Sequence, residues 1–245
     1  MNSFKQFTLK KQISFVKSKI LSLMTNKINE SIQIEENIWS NKELNNWLRL
    51  HGIEITEKPS FKKGGSGIAY FLPNNKVLKF TEDAVEANIA KMIINTKIGK
   101  NIIDVKKIGN KYAILQSKLD TENAPEDIKL AADLVTVMID EYDLTEFPED
   151  KNILVDMSNN ILEKFNMPKK LLKNMLIIIK LIEDLYKKTG FFHNDAGPSN
   201  IGVKGNKTYI FDLGPNKTKN YSTEKEIEKI KQKREKLGLN AHEFY

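Results

Sequence analysis

Asp195 and Asn200 stand five residues apart in the run Phe192-His193-Asn194-Asp195-Ala196-Gly197-Pro198-Ser199-Asn200. A carboxylate at the first position can take the proton of a hydroxyl, and an amide oxygen at the second can ligate a hard divalent cation such as Mg²⁺. Both tasks need a short, stiff loop, and Pro198 stiffens this one. Twelve residues after Asn200, the apolar run Tyr209-Ile210-Phe211 ends in Asp212-Leu213-Gly214. Asp212 is a second carboxylate suited to Mg²⁺, and Gly214 lets the chain turn away. Gly64-Gly65-Ser66-Gly67 lies between two strand-like segments, where a backbone free of side chains can approach phosphates closely. Lys79, in Val77-Leu78-Lys79, adds a cation for phosphate oxygens. Glu86 is the chosen anchor for Lys79. Glu82 and Asp83 are alternatives nearer the start of the same helix, where an acid also serves as a cap.

The elements that must carry these groups follow from periodicity. Residues 1–48 read as helical, with Phe4, Phe7, Ile13, Val16, Ile20 and Leu23 recurring at helical intervals between lysines. Such a basic amphipathic segment could lie on a membrane through residues 1–24, but packing on the main domain is the preferred reading. From about residue 55 the pattern becomes strand-like. Phe61–Leu72 reads as strand, glycine turn and strand, Pro73–Lys76 as a turn, and Val77–Phe80 as a strand. A helix is expected over 82–96, then a hairpin of strands around Ile102–Ile108 and Tyr112–Gln116, turning at Gly109-Asn110. After Leu119 helices dominate: Ile128–Ile139, then a long apolar one over Pro168–Lys188 that Gly190 stops. Two short strands around Gly205-Asn206 separate Asn200 from Asp212. The charged stretch 223–237 reads as an exposed helix. The expected domains are an extension over 1–48, a strand-rich part over 49–119 and a helical part over 120–245.

Bulk properties narrow the function classes. With 245 residues, 40% hydrophobic and 29% charged, the chain suits a globular protein of one large domain or two small lobes. It has no cysteine, which excludes disulfides and cysteine-based zinc sites. No apolar run is long enough to span a bilayer and the N-terminus lacks the apolar stretch of a secretory signal, so the expected location is cytoplasmic. The net charge of +7 is concentrated in lysines near the two ends, while residues 120–150 are acidic. No basic stripe interleaved with aromatics is present, so nucleic-acid binding is unsupported.

Taken in order, the glycine-rich turn, strand lysine, helix glutamate, His-x-Asp-x₄-Asn loop and Asp-x-Gly resemble the protein-kinase-like superfamily over roughly residues 60–214. The resemblance implies an α+β, two-lobed fold with a small antiparallel-sheet N-lobe, a reduced helical C-lobe and the helical extension ahead of them. It implies ATP and Mg²⁺ in the cleft. Gly64, Gly65, Ser66 and Gly67 would cover the phosphates. Lys79, anchored by Glu86, would orient ATP, and the linker from Gln116 to Leu119 would hold adenine, with Gln116 at the gatekeeper position. Asp195 would be the base, with Asn200 and Asp212 the metal ligands and His193 a structural member of the loop. The implied activity is transfer of the γ-phosphate of Mg-ATP to a protein serine or threonine hydroxyl. The alternatives are a small-molecule kinase of the aminoglycoside type and a nucleotide-binding pseudokinase scaffold.

The chain departs from the family pattern in ways that bear on its substrate. Only part of Gly-x-Gly-x-x-Gly is present. Asn194 replaces the loop arginine, and Arg49 and Arg234 are the only arginines in the chain. An arginine pocket for a phosphorylated activation loop is therefore not expected, nor is an activating phosphosite in residues 215–223. Gly197 and Ser199 match neither the serine/threonine nor the tyrosine signature, His-Asn-Asp differs from the His-Gly-Asp of aminoglycoside kinases, and no Ala-Pro-Glu follows Asp212. The modest length between Leu119 and His193 favours a protein substrate.

Overall fold

The structure is a computed structural model that describes residues 38–64 and 67–214, with isolated positions 232, 235, 238 and 240. Residues 1–37 of the helical segment expected over 1–48, Gly65 and Ser66 of the glycine turn, the 215–223 segment and most of the 223–237 helix lie outside the described residues. Contacts divide the chain into two units, Met1–Lys58 and Pro59–Tyr245. In the first, helix α1 (Lys42–Leu50) starts where Asn41 Oδ1 accepts from the Leu44 N–H at 3.0 Å, and Leu44, Trp47 and Leu48 are its buried residues.

The second unit is α+β. Its five-stranded antiparallel sheet comprises β1 (Phe61–Gly64), β2 (Gly67–Leu72), β3 (Lys76–Thr81), β4 (Ile102–Ile108) and β5 (Lys111–Ser117), in the order β1-β2-β3-β5-β4. Asn74 and Asn75, at φ 60° and 52°, close the β2–β3 turn in the left-handed region that asparagine tolerates. Residues paired across the ladder share a face. Ala69, Lys79, Ile114 and Val105 therefore line one face, and Tyr70, Leu78 and Leu115 the other.

Helix α2 (Ala84–Ile93) connects β3 to β4. Asp83 caps it, accepting from the N–H groups of Val85 at 2.9 Å and Glu86 at 3.3 Å. The helix packs against β3, β4 and β5, and also against α5 (Leu171–Thr189). Helices α3 (Glu126–Glu141) and α4 (Lys151–Lys164) complete the helical layer, and each packs on α5. Ala131, Ala132 and Val135 of α3 and Met175, Ile178 and Ile182 of α5 belong to one continuous core that includes Val85, Ile89, Val105 and Ile114. The sheet's Lys79 face and the helical layer thus share a single apolar interior.

Two devices aim the chain from α5 into the loop at 191–200. Gly190 takes the left-handed conformation that ends α5, with its N–H on the Tyr186 carbonyl at 2.7 Å. The Thr189 hydroxyl donates to the Leu185 carbonyl at 2.7 Å and accepts from the Phe191 N–H at 3.0 Å. A 3₁₀ turn at Pro198–Asn200 leads into the hairpin of β6 (Ile201–Lys204) and β7 (Lys207–Ile210). Asp120 and Val203 exchange both backbone hydrogen bonds at 2.9 Å, which ties β6 to the segment leaving β5.

Secondary structure departs from the sequence expectation mainly at α4, a 14-residue helix in the acidic-to-polar stretch that carried no helical prediction. Helix α2 ends at Ile93, earlier than residue 96: Ile94 leaves the helical conformation with ψ 139°, and Asn95 follows at φ 65°. Among the described residues, no helix is long and apolar enough to cross a membrane.

Gly99, between α2 and β4, sits against the end of α2. A Cβ there would fall 2.2 Å from the Ile93 carbonyl oxygen, a backbone atom that cannot step aside. Gly99→Ala is expected to destabilise the protein by about 1–3 kcal/mol, read as a lowered urea midpoint at unchanged slope.

Candidate active site

Lys79 occupies the middle of β3, and its side chain is only 11% exposed. An ammonium group this dry needs carboxylates within reach. Glu86, on the first turn of α2 and fully buried, approaches Lys79 Nζ to 2.5 Å. Asp212, just past β7, approaches it to 2.9 Å. The other two acids near the start of α2 are engaged elsewhere. Asp83 caps the helix, and the exposed Glu82 pairs with Lys111 at 3.5 Å. Helical geometry explains the division: Asp83 sits at the cap, and Glu86, three residues on, projects from the face turned to β3.

Burial opposes the charge of Lys79, but Glu86 and Asp212 outweigh it and hold the ammonium above its ordinary range. For Glu86 the balance is reversed. Burial pushes its carboxyl up to about 7, against the pull of Lys79.

Asp212 is joined to the 193–200 loop through its own backbone. His193 Nε2 lies 2.6 Å from the Asp212 carbonyl oxygen, and the Asp195 N–H lies 3.3 Å from His193 Nδ1. Nδ1 can accept from an N–H only if it carries no proton, so the proton sits on Nε2 and the ring donates to Asp212. Burial keeps the ring neutral by lowering its pKa, consistent with this tautomer. A neutral imidazole enclosed in this way is a strut between two backbones.

Asn200 closes the loop. Its Nδ2 donates to the Asp195 carbonyl at 2.9 Å, and its backbone carbonyl accepts from the Phe211 N–H at 3.1 Å. The first bond fixes the five-residue loop. The second sets Asn200 beside the residue that precedes Asp212. Lys79, Glu86, Asp212, His193, Asp195 and Asn200 therefore form one connected network. A Cβ added to Gly197 would lie 3.7 Å from Asp195 Oδ1 and 3.8 Å from the Thr136 hydroxyl, so Thr136 of α3 approaches the same glycine. Sequence reading did not single out Thr136, and nothing in its local pattern marks it.

The remaining predicted residues lie along the sheet. Gly64 and Gly67 pair across the β1–β2 turn, and a Cβ on Gly67 would meet the Phe80 carbonyl oxygen at 2.1 Å. Gln116, next to last in β5, lies opposite Val77 and is buried. Leu119 follows in the linker and packs on Gly202 of β6, where a Cβ would fall 2.7 Å from the Leu119 Cβ. Gly202 was also not anticipated, although a glycine inside a short strand signals this kind of close approach.

Asp212 and Asn200 suit a hard divalent cation. Mg²⁺ is usually held by one or two carboxylates together with substrate phosphates and water. With Nδ2 of Asn200 committed to Asp195, its amide oxygen, which accepts a long bond from the Ser199 hydroxyl at 3.4 Å, is the atom that could turn to a ligand. Among the described residues no group of three or more His, Asp or Glu side chains could form an all-protein metal cage. Compared with protein-family models, curated proteins and solved structures, the chain matches no family model, no curated protein and no solved structure.

The raised Glu86 pKa has a thermodynamic consequence. Between its ordinary value of 4.5 and about 7, the folded state holds a proton that the unfolded state releases, so this group's contribution to stability falls as pH rises through that window. Glu86→Gln removes the titration. Wild type should therefore lose stability relative to Glu86→Gln between pH values near 5 and near 8, in paired urea unfolding curves. A stability difference between the two proteins that does not change with pH would contradict the assignment.

Proposed function

We propose that this protein is an ATP-dependent phosphotransferase with a two-lobed, protein-kinase-like organisation, moving the γ-phosphate of Mg-ATP to a protein serine or threonine hydroxyl. The observation that carries the reading is the convergence on Lys79. A sheet lysine, a helix glutamate and an aspartate at the end of a hairpin meet within 2.9 Å, and the same aspartate is bonded through His193 to the loop bearing Asp195 and Asn200. A structural ion pair has no use for that loop. Phosphoryl transfer needs all of its members, because catalysis of this reaction is mostly positioning and charge neutralisation.

The residues divide the work by chemistry. Lys79, positioned by Glu86, meets phosphate oxygens. Asp195 orients the acceptor hydroxyl and takes its proton. Asp212 and the Asn200 amide oxygen would hold Mg²⁺, which when bound neutralises phosphate charge. The five-stranded sheet with α2 supplies the phosphate-facing side, the α3–α5 layer supports the loop, and the Gln116–Leu119 linker joins the two. Helix α4 favours a second reading. It adds a third helix between linker and loop, and added helices there suit kinases of small hydroxylated molecules.

The test is incubation with γ-labelled ATP and Mg²⁺, alone and with basic proteins or a soluble protein extract. Wild type should label protein, and Asp195→Ala should lose about 100-fold or more in turnover while retaining Mg-ATP affinity. Asp212→Ala should weaken Mg-ATP binding by about tenfold or more. Consumption of ATP without protein labelling would favour the small-molecule reading. Binding of ATP without consumption would leave a pseudokinase, and equal ATP affinity in the two variants would contradict the assigned roles.

A further inference from the structure

The hairpin of β6 and β7 carries the two candidate metal ligands at its open end. Asn200 immediately precedes β6, and Asp212 stands two residues past β7. Ile201 pairs with Ile210, and beyond that pair the Phe211 N–H meets the Asn200 carbonyl at 3.1 Å. The place of this short ladder therefore sets the place of both ligands. Each strand has only four residues, and a lone two-stranded hairpin does not hold itself in position.

Two anchors hold it. The loop anchors the open end, through Asn200 Nδ2 on the Asp195 carbonyl at 2.9 Å and His193 Nε2 on the Asp212 carbonyl at 2.6 Å. The linker anchors β6, through the two Asp120–Val203 bonds at 2.9 Å. Gly202 lies between the anchors, buried, two residues after Asn200 and one before Val203.

The three atoms nearest to a Cβ on Gly202 all belong to Leu119: its Cβ at 2.7 Å, Cδ1 at 3.2 Å and Cγ at 3.5 Å. Cδ1 and Cγ can swing aside, but Cβ moves only with the linker backbone. That backbone is pinned on one side by the Lys118 N–H on the Asn75 carbonyl at 2.7 Å and on the other by the Asp120–Val203 bonds. A side chain at residue 202 must therefore be accommodated by the hairpin. Glycine inside a strand is unfavourable unless another segment approaches closely. Gly202 is not among the residues with positive φ, so its missing side chain, rather than its conformational freedom, is what the fold uses.

We propose that Gly202 is a positioning residue for the Mg²⁺ ligands. By letting β6 lie directly against Leu119, it sets Asn200 and Asp212 where a cation bound with the nucleotide needs them. This deepens the phosphotransferase reading and rests on it. Gly202 acts only through the backbone of β6 and its partner strand. Groups that orient metal ligands from behind commonly matter 10- to 100-fold in metal affinity, by roughly the same route.

The experiment measures ATP binding by titration calorimetry over a series of Mg²⁺ concentrations, in wild type, Gly202→Ala, Leu119→Gly and the double variant. Gly202→Ala should raise the Mg²⁺ concentration for half-maximal enhancement of ATP binding by about tenfold or more, while ATP affinity without Mg²⁺ stays within about threefold of wild type. Leu119→Gly removes all three atoms that the new Cβ would meet. In that background the effect of Gly202→Ala should fall to about twofold or less, as a pairwise contact requires. Gly99→Ala crowds the backbone away from the hairpin and should leave the Mg²⁺ requirement within about twofold of wild type. Should Gly202→Ala not fold, Leu119→Ile replaces it: it keeps Gly202, branches the Cβ that faces it, and should raise the Mg²⁺ requirement by about threefold. An unchanged Mg²⁺ requirement in the folded variant, an equal weakening of ATP with and without Mg²⁺, or an effect that persists in the Leu119→Gly background would overturn the inference and leave the phosphotransferase reading intact. Failure of wild type to bind Mg-ATP would overturn both.

Discussion

Lys79 is a lysine folded into the interior of a sheet, and that placement constrains much of what surrounds it. A buried ammonium group is tolerated only when carboxylates surround it, and removing one partner from such a pair commonly destabilises a protein by about 3–5 kcal/mol. The two partners arrive from distant parts of the chain. Glu86 is seven residues away, on the helix that follows the strand, while Asp212 is 133 residues away, past the last hairpin. Helix α2 must therefore be held with its first turn against β3, and β7 must end where its aspartate reaches the same ammonium. An apolar cluster of the same volume would hold these elements together at least as well. Under the proposed phosphotransferase reading, Asp212 would exchange Lys79 for a cation that arrives with the phosphates.

The rest of the architecture fixes that aspartate through its backbone. His193 and Phe211 engage backbone atoms around Asp212, and Asn200 engages the backbone of Asp195. Both acidic residues are therefore positioned through the main chain, and Lys79 holds the Asp212 carboxylate at 2.9 Å. Gly190 and Thr189 direct the chain into this loop, and the Asp120–Val203 bridge ties the hairpin to the linker. Lys79 and Gln116 lie along one face of one sheet.

What the sequence made legible was local. The strand around Val77–Phe80, the hairpin at Gly109-Asn110, the long apolar helix ended by Gly190 and the short hairpin after Asn200 each follow from periodicity or turn chemistry within a few residues, and the structure contains them. Helix α4 was missed because Lys151–Lys164 mixes asparagine, serine and charge, so its apolar side consists of a few scattered residues such as Leu154, Ile161 and Leu162. Its packing on α3 and α5 supplies what its pattern lacks. At the site, residue types and spacing were enough to nominate Lys79, Glu86, Asp195, Asn200 and Asp212. Choosing among Glu82, Asp83 and Glu86 required the direction of a helix face. The contact of Gly202 with Leu119 and the approach of Thr136 to Gly197 depend on the packing of segments far apart in sequence. A single chain without its fold carries no signal for them beyond a glycine in a strand.

The most direct test of the central claim, that one Mg-nucleotide site is built around Lys79, is titration of ATP into wild type and Lys79→Met, with and without Mg²⁺. The account predicts that wild-type binding depends on Mg²⁺ and that Lys79→Met loses about tenfold or more in affinity while remaining folded by circular dichroism. Equal ATP affinity in the two proteins, or wild-type binding indifferent to Mg²⁺, would contradict it.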